Sequence, residues 1–160
     1  MSQIFKRRII REKVLQMLYA FEMNDSNVDS LFHELLSEVG DDSDKEFAGV
    51  LIRNVKKNRE TLDELIKSKV SNWDLSRIAL VDRILLRLGI SEILFFPDIP
   101  PKVSINEYIE IAKDYSTSSS GKFINGILDA ILADLKSGNK LNKKGRGLVE
   151  ESLPKASEKK

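Results

Sequence analysis

Ile78-Ala79-Leu80-Val81-Asp82-Arg83-Ile84-Leu85-Leu86-Arg87-Leu88-Gly89-Ile90 is the stretch that decides the fold. Ile78, Val81, Ile84, Leu85 and Leu88 recur at three- and four-residue spacing, which sets them on one side of a helix. Leu80 and Leu86 lie beyond that stripe, and apolar residues continue after Gly89, so the helix is apolar over much of its circumference. A helix of that kind belongs at the centre of a core. Ser71 to Ser76 interrupts the pattern ahead of it. With Ser76 as N-cap, Leu75 and Leu80 take the positions of a hydrophobic staple. Pro97, Pro100 and Pro101 end the helix.

Working outward, the same helical period fills nearly the whole chain. A first helix spans about Gln3 to Met23, with Ile10, Val14, Met17, Leu18 and Phe21 on one stripe. Asn24-Asp25-Ser26-Asn27 is turn chemistry, and a second helix runs through Leu31, Leu35 and Leu36 to Gly40. Ser43-Asp44-Lys45-Glu46 has capping-box spacing ahead of Phe47, Val50, Leu51 and Val55. Leu62, Leu65 and Ile66 mark a fourth helix beyond a break near Asn58. Ser104-Ile105-Asn106-Glu107 is a second capping box, opening a helix through Tyr108, Ile109, Ala112 and Tyr115. Ser116 to Gly121 reads as a flexible polar loop, and Phe123, Ile124, Ile127, Leu128, Ile131, Leu132 and Leu135 make the seventh helix. No repeat and no strand-like alternation occurs. The expectation is an all-α protein of seven helices in two packed helical bundles. Residues 1–137 form one domain, and 138–160 form a basic, disordered tail.

The bulk properties fit. The chain has 160 residues, 41% of them hydrophobic and 32% charged, and no Cys. Disulfides and thiolate metal sites are excluded, and a reducing cytoplasm is the expected location. No apolar run serves as a signal peptide or membrane span. The net charge is only +1, but it is unevenly spread. Residues 1–20 carry Lys6, Arg7, Arg8, Arg11 and Lys13 against Glu12, and residues 136–160 carry eight basic residues against three acidic ones. An acidic middle with basic ends concentrates positive potential where a polyanion can meet it.

Nothing points to catalysis. The lone His33 has no Cys and no second His beside it for a metal site, and reads as a surface or boundary residue. Ser120-Gly121-Lys122 lacks the glycine that a phosphate loop needs at Ser116 and the hydroxyl it needs at Phe123. The eight glycines give no dinucleotide fingerprint. The chain is therefore read as a non-enzyme without cofactor or metal.

The constellation above background is Lys6-Arg7-Arg8-Ile9-Ile10-Arg11-Glu12-Lys13. On a helix Arg7 and Arg11 are one turn apart, and Arg8 is three residues before Arg11. Their guanidinium forks then project together, suited to phosphates and exposed bases. The plain alternative is a solvated helix start, although basic residues there oppose the macrodipole. Asp82 has no cation at i±3 or i±4. It is either half of a tertiary salt bridge or a carboxylate kept for a protein partner. Trp73, Tyr108 and Tyr115 read as core or core-edge aromatics. Phe123, after a polar loop and Lys122, is core or an exposed base-stacking ring.

Taken in order, several segments resemble the NusB family. These are Arg7-Arg8-x-x-Arg11-Glu12-x-x-Leu15-Gln16-x-Leu18-Tyr19, then Asp82-Arg83-Ile84-Leu85-Leu86-Arg87, then Glu92 before the prolines. Pro100-x-x-Val103-x-Ile105-Asn106-Glu107-x-Ile109-Glu110-x-Ala112-Lys113 and Lys122-Phe123-Ile124-Asn125-Gly126-Ile127-Leu128-Asp129 carry most of the likeness, which covers about residues 5–135. The resemblance implies a transcription antitermination factor that binds single-stranded boxA-like RNA of ribosomal RNA leaders. It also implies a heterodimer with the small-subunit ribosomal protein NusE, within a complex on RNA polymerase. Lys6, Arg7, Arg8 and Arg11 then meet RNA, with Lys122 and Phe123 at the edge of that surface, while Tyr19, Glu22 and Asp82 face NusE. Asn106, Glu107, Asn125, Gly126 and Asp129 are assigned to caps, a close helix approach and internal hydrogen bonds.

One departure from the family stands out: where some members carry an acidic residue before Lys122, this chain has only hydroxyls from Ser116 to Ser120. The basic tail is also outside the pattern, as a solvated extension or a source of nonspecific RNA affinity. Of three other readings, two stay open. An RNA-modifying enzyme with a NusB-like domain is set aside because no cofactor glycines or catalytic domain are present. A helical protein-binding adaptor needs no arginine cluster. A homodimer is possible, and it would mask the basic face until NusE arrives.

Overall fold

The computed structural model describes residues 3–24, 27–70 and 75–149, with side chains from Lys6 onward. Its α-helices are α1 (Gln3–Glu22), α2 (Val28–Ser37), α3 (Asp42–Lys57), α4 (Arg59–Lys67), α5 (Leu80–Phe95), α6 (Pro101–Tyr115) and α7 (Ser120–Ser137). Single 3-10 turns stand at Leu75–Arg77 and Gly145–Leu148. The described residues contain no strand, so the all-α, seven-helix expectation holds. The chain divides into two compact units, residues 1–58 and 59–160.

In the first unit α1 packs on α2 and α3. Val14, Leu15 and Leu18 of α1 and Phe47, Ala48 and Leu51 of α3 are buried. The expected α1 stripe is right except at its end: Phe21 is exposed, and the Lys56 ammonium lies 4.2 Å from its ring centre. In α2 Leu31, Phe32, Leu35 and Leu36 are only half-buried, and no residue is buried outright. α3 begins two residues earlier than the capping box suggested. Asp41 is its N-cap, accepting from the Ser43 amide at 2.8 Å. That amide holds the Asp41 carboxyl below its usual range. Asn24, at φ 54°, supplies the left-handed residue that ends α1, as its turn chemistry implies.

In the second unit α5 is central, packed against α4, α6 and α7. Ile84, Leu85, Leu86, Leu88, Ile90 and Ile93 are fully buried, each contributing about 2 kcal/mol of transfer free energy. The close helix approach is at Gly89, not at Gly126. A Cβ on Gly89 would lie 2.8 Å from the Leu128 side chain of α7, whereas Gly126 faces open space. Two other starts also differ. Ser76 sits in the 3-10 turn, and Ala79 is the N-cap of α5. α6 opens on Pro101, whose missing N–H costs nothing in a first turn. Ser104 is thereby inside α6, where its hydroxyl donates to the buried Glu92 carboxyl at 2.8 Å beside the Tyr108 hydroxyl. Tyr108 is buried and Tyr115 exposed, while Trp73 lies outside the described residues. Lys102 and Asp129 pair at 3.0 Å between α6 and α7.

Beyond Gly138, where the sequence suggested a tail, described structure continues to Val149. Gly138 and Lys140 amides close the last turn of α7 on Asp134 and Leu135 carbonyls. The Lys144 amide donates to the Pro97 carbonyl at 3.1 Å. Residues 150–160 lie outside the described residues.

Candidate nucleic-acid and partner-protein interfaces

The basic turns of α1 face the first turns of α3. Asp44, the third residue of α3, is buried, and its carboxylate accepts from Arg7 Nε at 3.1 Å. The Arg7 guanidinium lies 4.2 Å from the Phe47 ring centre and that of Arg11 5.3 Å from the same ring. A single aromatic face thus supports two cations, an arrangement worth roughly 0.5–2 kcal/mol per cation. Lys6 is exposed, and Arg7 and Arg8 are half-buried. Arg11 is only 3% exposed. The three forks therefore do not project together into solvent: Arg7 and Arg8 reach it, while Arg11 is taken into the packing against Phe47. Helical spacing alone cannot tell which of two arginines one turn apart lies under a neighbouring helix. Asp44 and Phe47, read from sequence as cap and core, are the residues that decide it.

At the far end of α1, Tyr19 is 40% exposed beside exposed Phe21 and Met23, and Glu22 is half-buried. Tyr19 and Met23 are one turn apart, whereas Phe21 lies on another side of the helix, against Lys56. Of these residues, the sequence marked only Tyr19 and Glu22 as partner-facing.

In the second unit, Lys122 is exposed and Phe123 half-buried in the first turn of α7. Asp82 is 8% exposed in the first turn of α5. Its two oxygens accept from the Ser116 hydroxyl at 2.7 Å and the Ser120 hydroxyl at 2.9 Å. Ser116 and Ser120 lie 2.8 Å apart, and Thr117 is 3.0 Å from Ser120. The expected cation partner of Asp82 is absent among the described residues. Ser116 to Ser120, expected to be flexible, is pinned from below, with Ser120 buried as the first residue of α7. The two ends of the hydroxyl run that departs from the family pattern, Ser116 and Ser120, are the donors that Asp82 uses.

Among the described residues no cluster of His, Asp and Glu could hold a metal ion, and no helix is long and apolar enough to cross a membrane. His33 is exposed, edge-on to Phe32.

Comparison with known proteins agrees with this architecture. The NusB family matches residues 8–133. The transcription antitermination protein NusB of Salinibacter ruber is 47% identical over 145 residues, covering 89% of this chain and 91% of that protein. The structure of Thermotoga maritima (T. maritima) NusB superposes with a TM-score of 0.73 at 43% identity, covering 80% of this chain and 91% of that one. A crystal structure of the antitermination factors NusB and NusE in complex with dsRNA aligns at a TM-score of 0.70 and 26% identity, covering 84% of this chain and 99% of the matched one.

Proposed function

Because this chain belongs to the NusB family, we propose that it is a non-enzymatic transcription antitermination factor. In this reading it binds boxA-type single-stranded RNA of ribosomal RNA leaders as a heterodimer with NusE, in a complex on RNA polymerase in the cytoplasm. The observation that carries the reading is the pair of half-buried arginines, Arg7 and Arg8, beside exposed Lys6 on a helix end braced by Asp44 and Phe47. The Arg7 fork, held by the Asp44 carboxylate through Nε, turns its terminal nitrogens to phosphate oxygens, with Arg8 and Lys6 adding positive charge beside it. Arg11 serves the same surface from beneath by fixing Phe47. Lys122 and Phe123 add a cation and a ring for RNA. Tyr19 and Glu22 contact NusE, and Asp82 acts on that partner through the loop it holds. A matched structure that pairs NusB and NusE with RNA supports both partners.

The test is titration of a short fluorescent boxA-like RNA, with and without purified NusE-type protein, beside a scrambled RNA. NusE should tighten binding of the boxA-like strand selectively, and Arg7→Glu with Arg8→Glu should abolish it. Arg11→Ala should instead cost about 3 kcal/mol of stability in urea denaturation, the range for stripping a buried charged side chain from its partners. Equal, weak binding to both RNAs with NusE affinity intact would leave a helical protein-binding adaptor. Sedimentation of the free protein would reveal whether a homodimer covers the basic face.

A further inference from the structure

Residues 136–149 contain Lys136, Lys140, Lys143, Lys144 and Arg146 and no acidic residue. They lie beyond residues 8–133, the part that matches the family. Past the end of α7 the segment is fixed at several points. Lys143 Nζ donates to the Glu92 carbonyl at 3.1 Å and the Phe96 carbonyl at 2.7 Å. Those are carbonyls at the C-terminus of α5, where a cation also meets the negative end of the helix dipole. Gly147 lies so close to Pro97 that a Cβ there would sit 1.8 Å from the Pro97 carbonyl oxygen. Gly145, at φ 56°, makes the bend that brings it there.

Exposure then alternates along the strap: Lys140, Asn142 and Lys144 are exposed, and Leu141 and Lys143 are half-buried. An extended chain alternates in this way, with same-side residues roughly 7 Å apart. Lys140 and Lys144 therefore stand on one side, with Arg146 and Lys136 also exposed. None of these four is ion-paired with a described residue. One lysine of the strap is spent on anchoring, and the rest are presented outward on a backbone that is already ordered. Two outward cations on a fixed extended backbone, Lys140 and Lys144, with Arg146 on the 3-10 turn that follows, match the spaced phosphates of a single strand better than a compact anion.

We propose that this strap is a second RNA-binding site, contacting the phosphate backbone of single-stranded RNA flanking the recognised element through Lys140, Lys144 and Arg146. The inference rests on the RNA-binding reading above. It adds affinity without sequence preference, because phosphates carry no base identity.

The experiment measures affinity against salt for the full-length protein on two RNAs, a boxA-like core and the same core extended by single-stranded flanks at both ends. Lys140→Gln, Lys144→Gln and Arg146→Gln are combined in one variant, and Arg7→Glu with Arg8→Glu in another. Each phosphate contact on a single strand contributes about −0.7 to the log–log slope. On the extended RNA the wild type should thus be steeper than the strap variant by about 2, a roughly 20-fold larger loss between 50 and 200 mM salt. On the core alone the two should coincide. If core binding depends on Arg7 and Arg8 but the strap variant keeps the wild-type slope on extended RNA, the strap proposal falls and the RNA reading stands. If neither RNA binds at low salt, both fall. Vesicles containing phosphatidylglycerol form a third arm: strap-dependent retention there, with RNA slopes unmoved, would make the strap a membrane-surface contact and overturn the proposal.

Discussion

Asp82 and Arg87 share a helix and meet opposite fates. Arg87 is buried and donates from Nε and Nη2 to the two carboxylate oxygens of Asp63, at 2.8 and 3.2 Å, so its charge is answered by a charge. Asp82 is answered by hydroxyls. Removing it takes the shared acceptor from the Ser116 and Ser120 hydroxyls and leaves them only each other and Thr117, at a cost of about 1–3 kcal/mol for the two bonds. Asn in its place can still accept from one serine and donate to the other. Asp82→Ala should therefore lower stability by that amount in urea denaturation and weaken NusE binding through the loop, while Asp82→Asn should restore most of both. A NusE affinity that Asp82→Asn loses as fully as Asp82→Ala would mean that the carboxylate meets the partner directly. From the sequence, the missing local cation marked Asp82 as unusual. The hydroxyls that replace it come from 34 and 38 positions away, a separation that no local pattern encodes.

At the scale of elements, helical periodicity was enough to place all seven helices, but capping residues misplaced the starts of α3, α5 and α6. Ser43, Ser76 and Ser104 each had a hydroxyl suited to an N-cap. In the fold, Asp41 caps α3 instead, while the helix of Ser104 starts on a proline and frees that hydroxyl for Glu92. Basic, glycine-rich composition concealed the strap for a related reason: its anchor is tertiary. Lys143 is held to carbonyls at the end of α5, and burial lowers its pKa to about 8, partly offset by Glu92 and Asp98. Between about 8 and the ordinary lysine value of 10.5 the unfolded chain binds more protons at this site than the folded one. Stability therefore rises with pH across that window. The Tm of the wild type should gain on that of Lys143→Met as pH goes from 8 to 10.5. A constant difference would show that Lys143 titrates alike in both states.

For the whole molecule, net charge was the least informative number and charge placement the most informative. Near-neutrality conceals two basic regions, one in each compact unit, which stand on different supports: α1 on the Asp44 and Phe47 side chains, the strap on backbone carbonyls. Family likeness made the first legible from sequence, through Arg7, Arg8 and Arg11, but not the inward turn of Arg11. The units also differ in how deeply their helices are seated. α5 is buried along most of its length, whereas α2 has no buried residue. Its hydrogen bonds can break without exposing a core, so α2 should open in small, frequent excursions far below the free energy of global unfolding. Native-state amide exchange should show residues 31–37 trading protons orders of magnitude faster than residues 84–93, and equal rates would mean that α2 opens only with the rest. The shallow seating of α2 thus makes it the protein's hydrogen-exchange soft spot, the place where the native ensemble leaks first.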